Sequence, residues 1–175
     1  MNKRAGFTIV ELLIVIVVIG VLAAISIAAY NGIQSKASVT AVKAELANLG
    51  KKIQLHHSTN GSYPASIAHL EALGWKASVS SYQQNSGGNV LYCSITTGPN
   101  ARFAVASRAK DNTAFVYYST GGIQSWTGSW SGAWSIDCPN YGIPSSGEAG
   151  LWYSQGYHPA DWGSPGWKVW TGGTI

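Results

Sequence analysis

The pattern of polar and apolar positions divides the chain into unlike stretches. Residues 1–6 read Met-Asn-Lys-Arg-Ala-Gly, short and basic. Residues 7–29 are apolar almost without interruption, and Glu11 is the only charge among them. A helix of that length rises about 35 Å, against a bilayer hydrocarbon core of about 30 Å, so a single membrane span is expected there. Lys3 and Arg4 precede the span and the next basic residue is Lys36. The positive-inside rule then places the N-terminus in the cytoplasm and residues 31–175 on the far side.

Beyond the span the period changes. Val39, Val42, Leu46, Leu49 and Ile53 recur at steps of three and four, while Lys36, Lys43, Glu45, Lys51 and Lys52 fall elsewhere. That is the signature of an amphipathic continuation over residues 30–59. Asn31-Gly32 could break the helix, but Ile33 resumes it, and the spacing predicts one helix to about Ser58. Continuous from Phe7, it would be about 80 Å long. Asn60-Gly61 and then Pro64 mark its stop, and Ile67, Leu70 and Leu73 predict a short second helix. Alternation then predicts strands at 89–96, 102–107 and 113–119, with a short fourth at 123–126. Leu91, Cys93 and Ile95 share a face in the first, Phe103 and Val105 in the second, Phe115 and Tyr117 in the third. The expected fold is α+β: a long N-terminal helix whose lower half is transmembrane, packed on a small antiparallel sheet. Residues 60–175 form the exported globular part.

Composition refines this picture at the C-terminal end. Residues 126–175 hold seven of the eight tryptophans, ten glycines and four of the six prolines, which predicts a loop-rich Trp/Gly cap rather than regular structure. Trp126, Trp130 and Trp134 repeat every four residues amid Gly and Ser. They either present an aromatic surface that stacks on sugar rings or a partner, or form the core of the cap with their N–H groups on backbone acceptors. Seven exposed indoles would make an aggregation-prone surface, which favours the core, with two or three rings left exposed. Cys93 and Cys138 are the only cysteines. On an oxidising exported side they are expected to form a disulfide, closing a loop of about 45 residues worth about 4 kcal/mol in the chain-entropy model. The competing metal pair lacks two further ligands at suitable spacing.

Charge and motifs exclude several function classes. With 46% hydrophobic and only 10% charged residues, the chain is not a disordered charged tail, and one span is too few for a transporter. A formal charge of +4 is too weak and scattered for nucleic acid to be expected as a partner, although Arg102, Arg108 and Lys110 make a small basic patch around one hairpin. His56 and His57 are adjacent and point to different helix faces, so with His69 they are expected to be solvated. No metal or cofactor is anticipated. There is no phosphate loop, HExxH, GxSxG or CxxC pair, and Asp137, Glu148 and Asp161 lie in the loop-rich tail, so no enzyme is expected.

Glu11 is the oddity that organises the rest. A carboxylate inside a membrane is costly and generally has a partner or a function, and no other charge lies in this span. A secretory signal has a shorter apolar run with small residues after it; here Ala5-Gly6 lie before the run. A cut between Gly6 and Phe7 would remove the basic residues and keep the helix. The freed α-amino group of Phe7, or that of an adjacent copy, would then meet Glu11. Alternatively, Glu11 snorkels to the membrane surface.

Gly6-Phe7-Thr8-Ile9-Val10-Glu11-Leu12-Leu13-Ile14-Val15-Ile16, followed by Gly20-Val21-Leu22-Ala23-Ala24-Ile25, resembles the class III signal and first helix of type IV pilins and type II secretion pseudopilins. The resemblance covers residues 1 to about 30. It implies that residues 1–6 are a leader removed by a prepilin peptidase after Gly6, with N-methylation of Phe7. It also implies that Glu11 pairs with a neighbouring subunit's N-terminus during assembly. The implied partners are further copies of the chain, other pilins, the peptidase, the assembly machinery and the lipid bilayer. The implied location is the cytoplasmic membrane and then a surface or periplasmic filament. Many such helices carry a kinking proline where this chain has Ala28, which implies a straighter helix. Two other readings stay open: a single-span surface anchor whose tryptophans bind glycans, and a DNA-uptake pilin using the small basic patch.

Overall fold

The first helix is built from a run with no proline over 52 residues: α1 spans Ile9–Asn60. It is unbroken at Ala28 and at Asn31-Gly32. It stops where Gly61 takes a left-handed φ of 73° and donates its N–H to the His57 carbonyl at 2.8 Å, a glycine C-cap. The structure is a computed structural model that describes residues 7–83 and 88–157. The leader residues 1–6, Gly6 among them, and the tail residues 158–175 with Trp162, Trp167 and Trp170 lie outside the described residues. The chain forms two compact units, one ending at Lys36 and the other beginning at Ala37.

In the first unit the large apolar side chains of α1 are all exposed. In the second, the predicted stripe is the core: Val42, Leu46, Leu49 and Ile53 are buried, and Val39 packs on them. They meet one face of a five-stranded antiparallel sheet of order β4-β3-β2-β1-β5. The strands are β1 (Gly88–Ile95), β2 (Arg102–Arg108), β3 (Ala114–Tyr118), β4 (Gly122–Trp126) and β5 (Leu151–Tyr157). Val90, Tyr92, Phe103, Val105, Phe115 and Tyr117 supply the helix-side face. At one point a sheet side chain packs directly on the helix backbone. A Cβ on Gly50 would lie 2.3–2.5 Å from the Tyr117 ring, so only glycine fits. Next to that contact Tyr117 donates its O–H to Gln54 Oε1 at 3.0 Å, and Gln54 Nε2 donates to the Ser119 carbonyl at 2.8 Å.

The short helix α2 (Ile67–Ala72) forms where expected, with Ser66 as its N-cap accepting from the His69 N–H. The loop after it is fixed to α1 by Glu45, which accepts from the Ser78 N–H at 3.0 and 3.1 Å and from the Tyr82 hydroxyl at 2.9 Å. Burial pushes the Tyr82 phenol well above its ordinary value, and the Glu45 charge pushes the same way.

One expectation holds and one is corrected. Leu91, Cys93 and Ile95 share a face, as their spacing predicts. All eight residues of β1 are buried, because its other face, with Val90 and Tyr92, meets α1. The tail is more regular than its composition suggested. It contains α3 (Trp134–Asn140) and β5, and β5 pairs along β1, Cys93 opposite Tyr153 and Ile95 opposite Leu151. The four-strand meander is thus the greater part of a five-strand sheet. On the face away from α1, α3 and the following loop lay Cys138, Tyr141 and Ile143 over Leu91, Cys93, Ile95, Ala104, Ala106 and Val116.

Candidate functional site

The first turn of α1 carries a side-chain arrangement that the sequence encodes but the periodicity did not expose. Thr8 and Glu11 form a capping box. Glu11 Oε2 accepts from the Thr8 N–H at 2.8 Å and from the Thr8 hydroxyl at 2.7 Å, and the Glu11 N–H donates back to Thr8 Oγ1 at 3.2 Å. The Thr-x-x-Glu spacing before an apolar run is the readable signal. The carboxylate also stands at the positive end of the helix dipole. All three bonds are local, so no other part of the fold is needed to position Glu11. Both bonds that the carboxylate accepts fall on Oε2, which leaves Oε1 for a further donor. Around it the surface is apolar and open: Phe7 is 82% exposed and Ile9 84%. None of this apolar stretch is buried by the chain's own fold. Gly6 lies outside the described residues, so the structure positions Phe7 and Glu11 of the processing and assembly set but not the residue before the cut.

The cysteines are joined. Cys93 of β1 and Cys138 of α3 form a disulfide with Cα atoms 5.7 Å apart, fastening α3 to the sheet. Beside it Asp137 is completely buried and accepts from the Ser131 N–H at 3.1 Å and the Gly132 N–H at 2.8 Å. The Tyr141 phenol is pushed up first by burial and then by the Asp137 charge.

The three tryptophans singled out by their spacing do not share one surface role. Trp126 and Trp130 pack against the cap-side core. Trp126 donates its ring N–H to the Ser129 carbonyl at 3.2 Å and meets Tyr141 edge-on at 5.0 Å. Trp130 lies 5.7 Å from the Arg108 guanidinium. Trp134 is 37% exposed and stacks on Tyr153 at 4.5 Å. The basic patch is likewise spent internally. Arg102 donates to the carbonyls of Gly142 and Asn100 and lies 3.8 Å from Glu148, and Arg108 lies beside Trp130. Among the described residues no group of three or more His, Cys, Asp or Glu side chains is placed to hold a metal.

The N-terminal arrangement decides the comparison with known proteins. The family model of the prokaryotic N-terminal methylation motif matches residues 1–27. The type IV major alpha-pilin of Moraxella bovis is 53% identical over 47 residues, 27% of this chain and 30% of that pilin. The chain is similar to type IV pilins and type II secretion pseudopilins. The resemblance to pilins extends past the first helix: the type IV wide pilus major component PilA4 of Thermus thermophilus is 27% identical over 139 residues, 79% of this chain and all of that pilin. The type II secretion system core protein G of Pseudomonas aeruginosa, a pseudopilin, is 29% identical over 72 residues, 41% of this chain and 51% of that protein. The chain thus spans under a third of the Moraxella pilin and about half of the secretion protein.

Proposed function

We infer that this chain is a structural subunit of a type IV pilus or of a pilus-like pseudopilus, and not an enzyme. The observation that carries the inference is an uncovered apolar helix with one capped carboxylate, Glu11, in its first turn, within the residues 1–27 that match a methylation motif. The subunit is held in the cytoplasmic membrane by residues 7–29 with its body outside. A prepilin peptidase cuts after Gly6 and methylates Phe7. Assembly machinery then moves the helix from lipid into a bundle of helices from other copies and other pilins, giving a surface or periplasmic filament.

The energetics of that transfer explain why Glu11 matters. Lipid tails are as apolar as leucine, so moving the helix from bilayer to bundle gains little hydrophobic free energy. Close packing and polar contacts between helices must supply the difference. A carboxylate paired with a neighbour's Phe7 amine is the strongest such contact this helix offers, and it fixes the axial register of adjacent copies. The rival reading, a surface anchor that binds glycans through Trp126, Trp130 and Trp134, is not favoured, since the relatives are pilin and secretion-system proteins and two of these rings pack, half-buried, against the cap-side core.

N-terminal sequencing of sheared cell-surface material, with electron microscopy of the same preparation, tests the proposal. Filaments whose subunits begin at a methylated Phe7 are expected. A chain that retains Met1 and never leaves the membrane overturns it.

A further inference from the structure

The connection between α1 and α2, residues 61–66, is gripped by three of the four histidines in the chain. His56, in the last turns of α1, bonds through Nδ1 to the Ser62 carbonyl at 3.0 Å. A carbonyl only accepts, so this Nδ1 carries a hydrogen. His57 stacks on Tyr63 with ring centroids 4.1 Å apart. His69, on α2, has the opposite polarity: its Nδ1 accepts the Ala65 N–H at 3.3 Å, so it must present a lone pair. The His56 and His69 rings lie 5.2 Å apart.

We propose that this histidine clamp is a pH-sensitive latch, in which protonation of His69 releases the Ala65 end of the α1–α2 connection. The two rings respond to acid in opposite ways. A proton on His56 enters at Nε2, leaves the bond to Ser62 intact and makes it charge-assisted. A proton on His69 enters at Nδ1 and sets a donor against the Ala65 donor, so that bond is lost. The latch therefore opens when His69, and not His56, takes its proton.

The charged groups of the surrounding elements do not supply a substitute. Residues 61–66 contain none. On α1, Lys52 donates to the carbonyls of Leu73 and Gly74. On α2, Glu71 is two positions from His69, about 200° round the helix. From the sheet, Arg102 is engaged by Gly142, Asn100 and Glu148. The rest of the connection is held by bonds without a titrating imidazole: Tyr63 N–H to the Thr96 carbonyl at 3.0 Å and Tyr92 O–H to the Pro64 carbonyl at 3.2 Å. Opening is therefore confined to Ala65 and the start of α2. Imidazole changes charge between pH 5 and 8, a range that the outside of a cell does not buffer.

The test is amide hydrogen exchange by NMR on the full chain in detergent micelles from pH 8 to pH 5, corrected for intrinsic exchange, with the imidazole signals of His56 and His69 followed in parallel. Protection of Ala65 is expected to fall about tenfold, the equivalent of one hydrogen bond, as His69 takes its proton, while Tyr63 keeps its protection. His69→Asn, a neutral acceptor, should hold Ala65 across the whole range. His56→Gln keeps a donor for the Ser62 carbonyl and leaves His69 in place, so Ala65 should still lose protection in acid. Unchanged Ala65 protection with both rings charged overturns the proposal, as does the same acid loss in His69→Asn. Should His69→Asn not fold, absence of the acid loss in His56→Gln overturns it.

Discussion

The two parts of α1 share one helical backbone and make opposite demands on their surroundings. Over residues 9–33 every large apolar side chain is exposed, and even the least exposed, Val15 and Val18, are 49% accessible. Over residues 42–53 the same kinds of side chain, Val42, Leu46, Leu49 and Ile53, are buried, while Lys43 and Lys51 on other faces are exposed. A striped helix is satisfied by a single sheet. A helix that is apolar all round has no inward side, so whatever covers it must surround it, as lipid does or as copies of itself do. One part of the helix serves the fold of this chain and the other is kept for different molecules.

The sharpest way to break that division is at Glu11. Glu11→Gln keeps an acceptor for Thr8 and removes only the charge. It is expected to insert in the membrane as the wild type does and to lower sheared filament yield by on the order of tenfold or more, as loss of a buried hydrogen-bonded charge pair does. Wild-type yield from this variant would mean that the two parts differ only in hydrophobicity.

The remaining changes act on the body and should leave membrane insertion untouched. Reduction of Cys93–Cys138 should lower the body's stability to chemical denaturation by about 4 kcal/mol, with the cap side of the sheet losing amide protection before the α1 side. Gly50→Ala drives a methyl group into the Tyr117 ring. Overpacking, partly offset by better helix propensity, should cost about 2 kcal/mol, read as a lower thermal midpoint. Smallest at neutral pH is the effect of the buried tyrosines. Burial raises the phenols of Tyr82, Tyr92 and Tyr141 above the ordinary value of 10.0. A raised value in the folded state contributes stability that is complete below the unfolded value and is lost as pH rises past it. The body should therefore keep its denaturation midpoint up to about pH 10 and lose it above, with these three phenols ionising only on unfolding in an ultraviolet titration.

Much of this was legible along the chain because the signals were local. The stripe from Val39 to Ile53, the turns between strands and the Asn60-Gly61 stop each depend on neighbours within a few residues, and all appear in the structure. α3 and β5 were not legible because tertiary contacts decide them. Trp134-Ser-Ile-Asp-Cys-Pro-Asn contains Pro139 and lacks a side-chain N-cap; the disulfide and the buried Asp137 hold it in place. Leu151–Tyr157 contains no charge, and both of its faces are claimed, Trp152 joining the helix-side core and Tyr153 the cap-side core, so no alternation survives to be read. At the N-terminus the motif marks Glu11, while the Thr8 bond is encoded in a Thr-x-x-Glu capping spacing that neither charge nor hydrophobic period registers.

The strand order has a consequence for the timing of folding. β1 lies between β2, which follows it closely, and β5, which begins about 55 residues after β1 ends. In a chain that folds as it emerges N-terminus first, β1 appears with one flank unpaired and waits for the late-arriving segment to close it. During that interval the nascent body offers a strand edge to any sticky neighbour, which makes this the stage at which a chaperone would matter most.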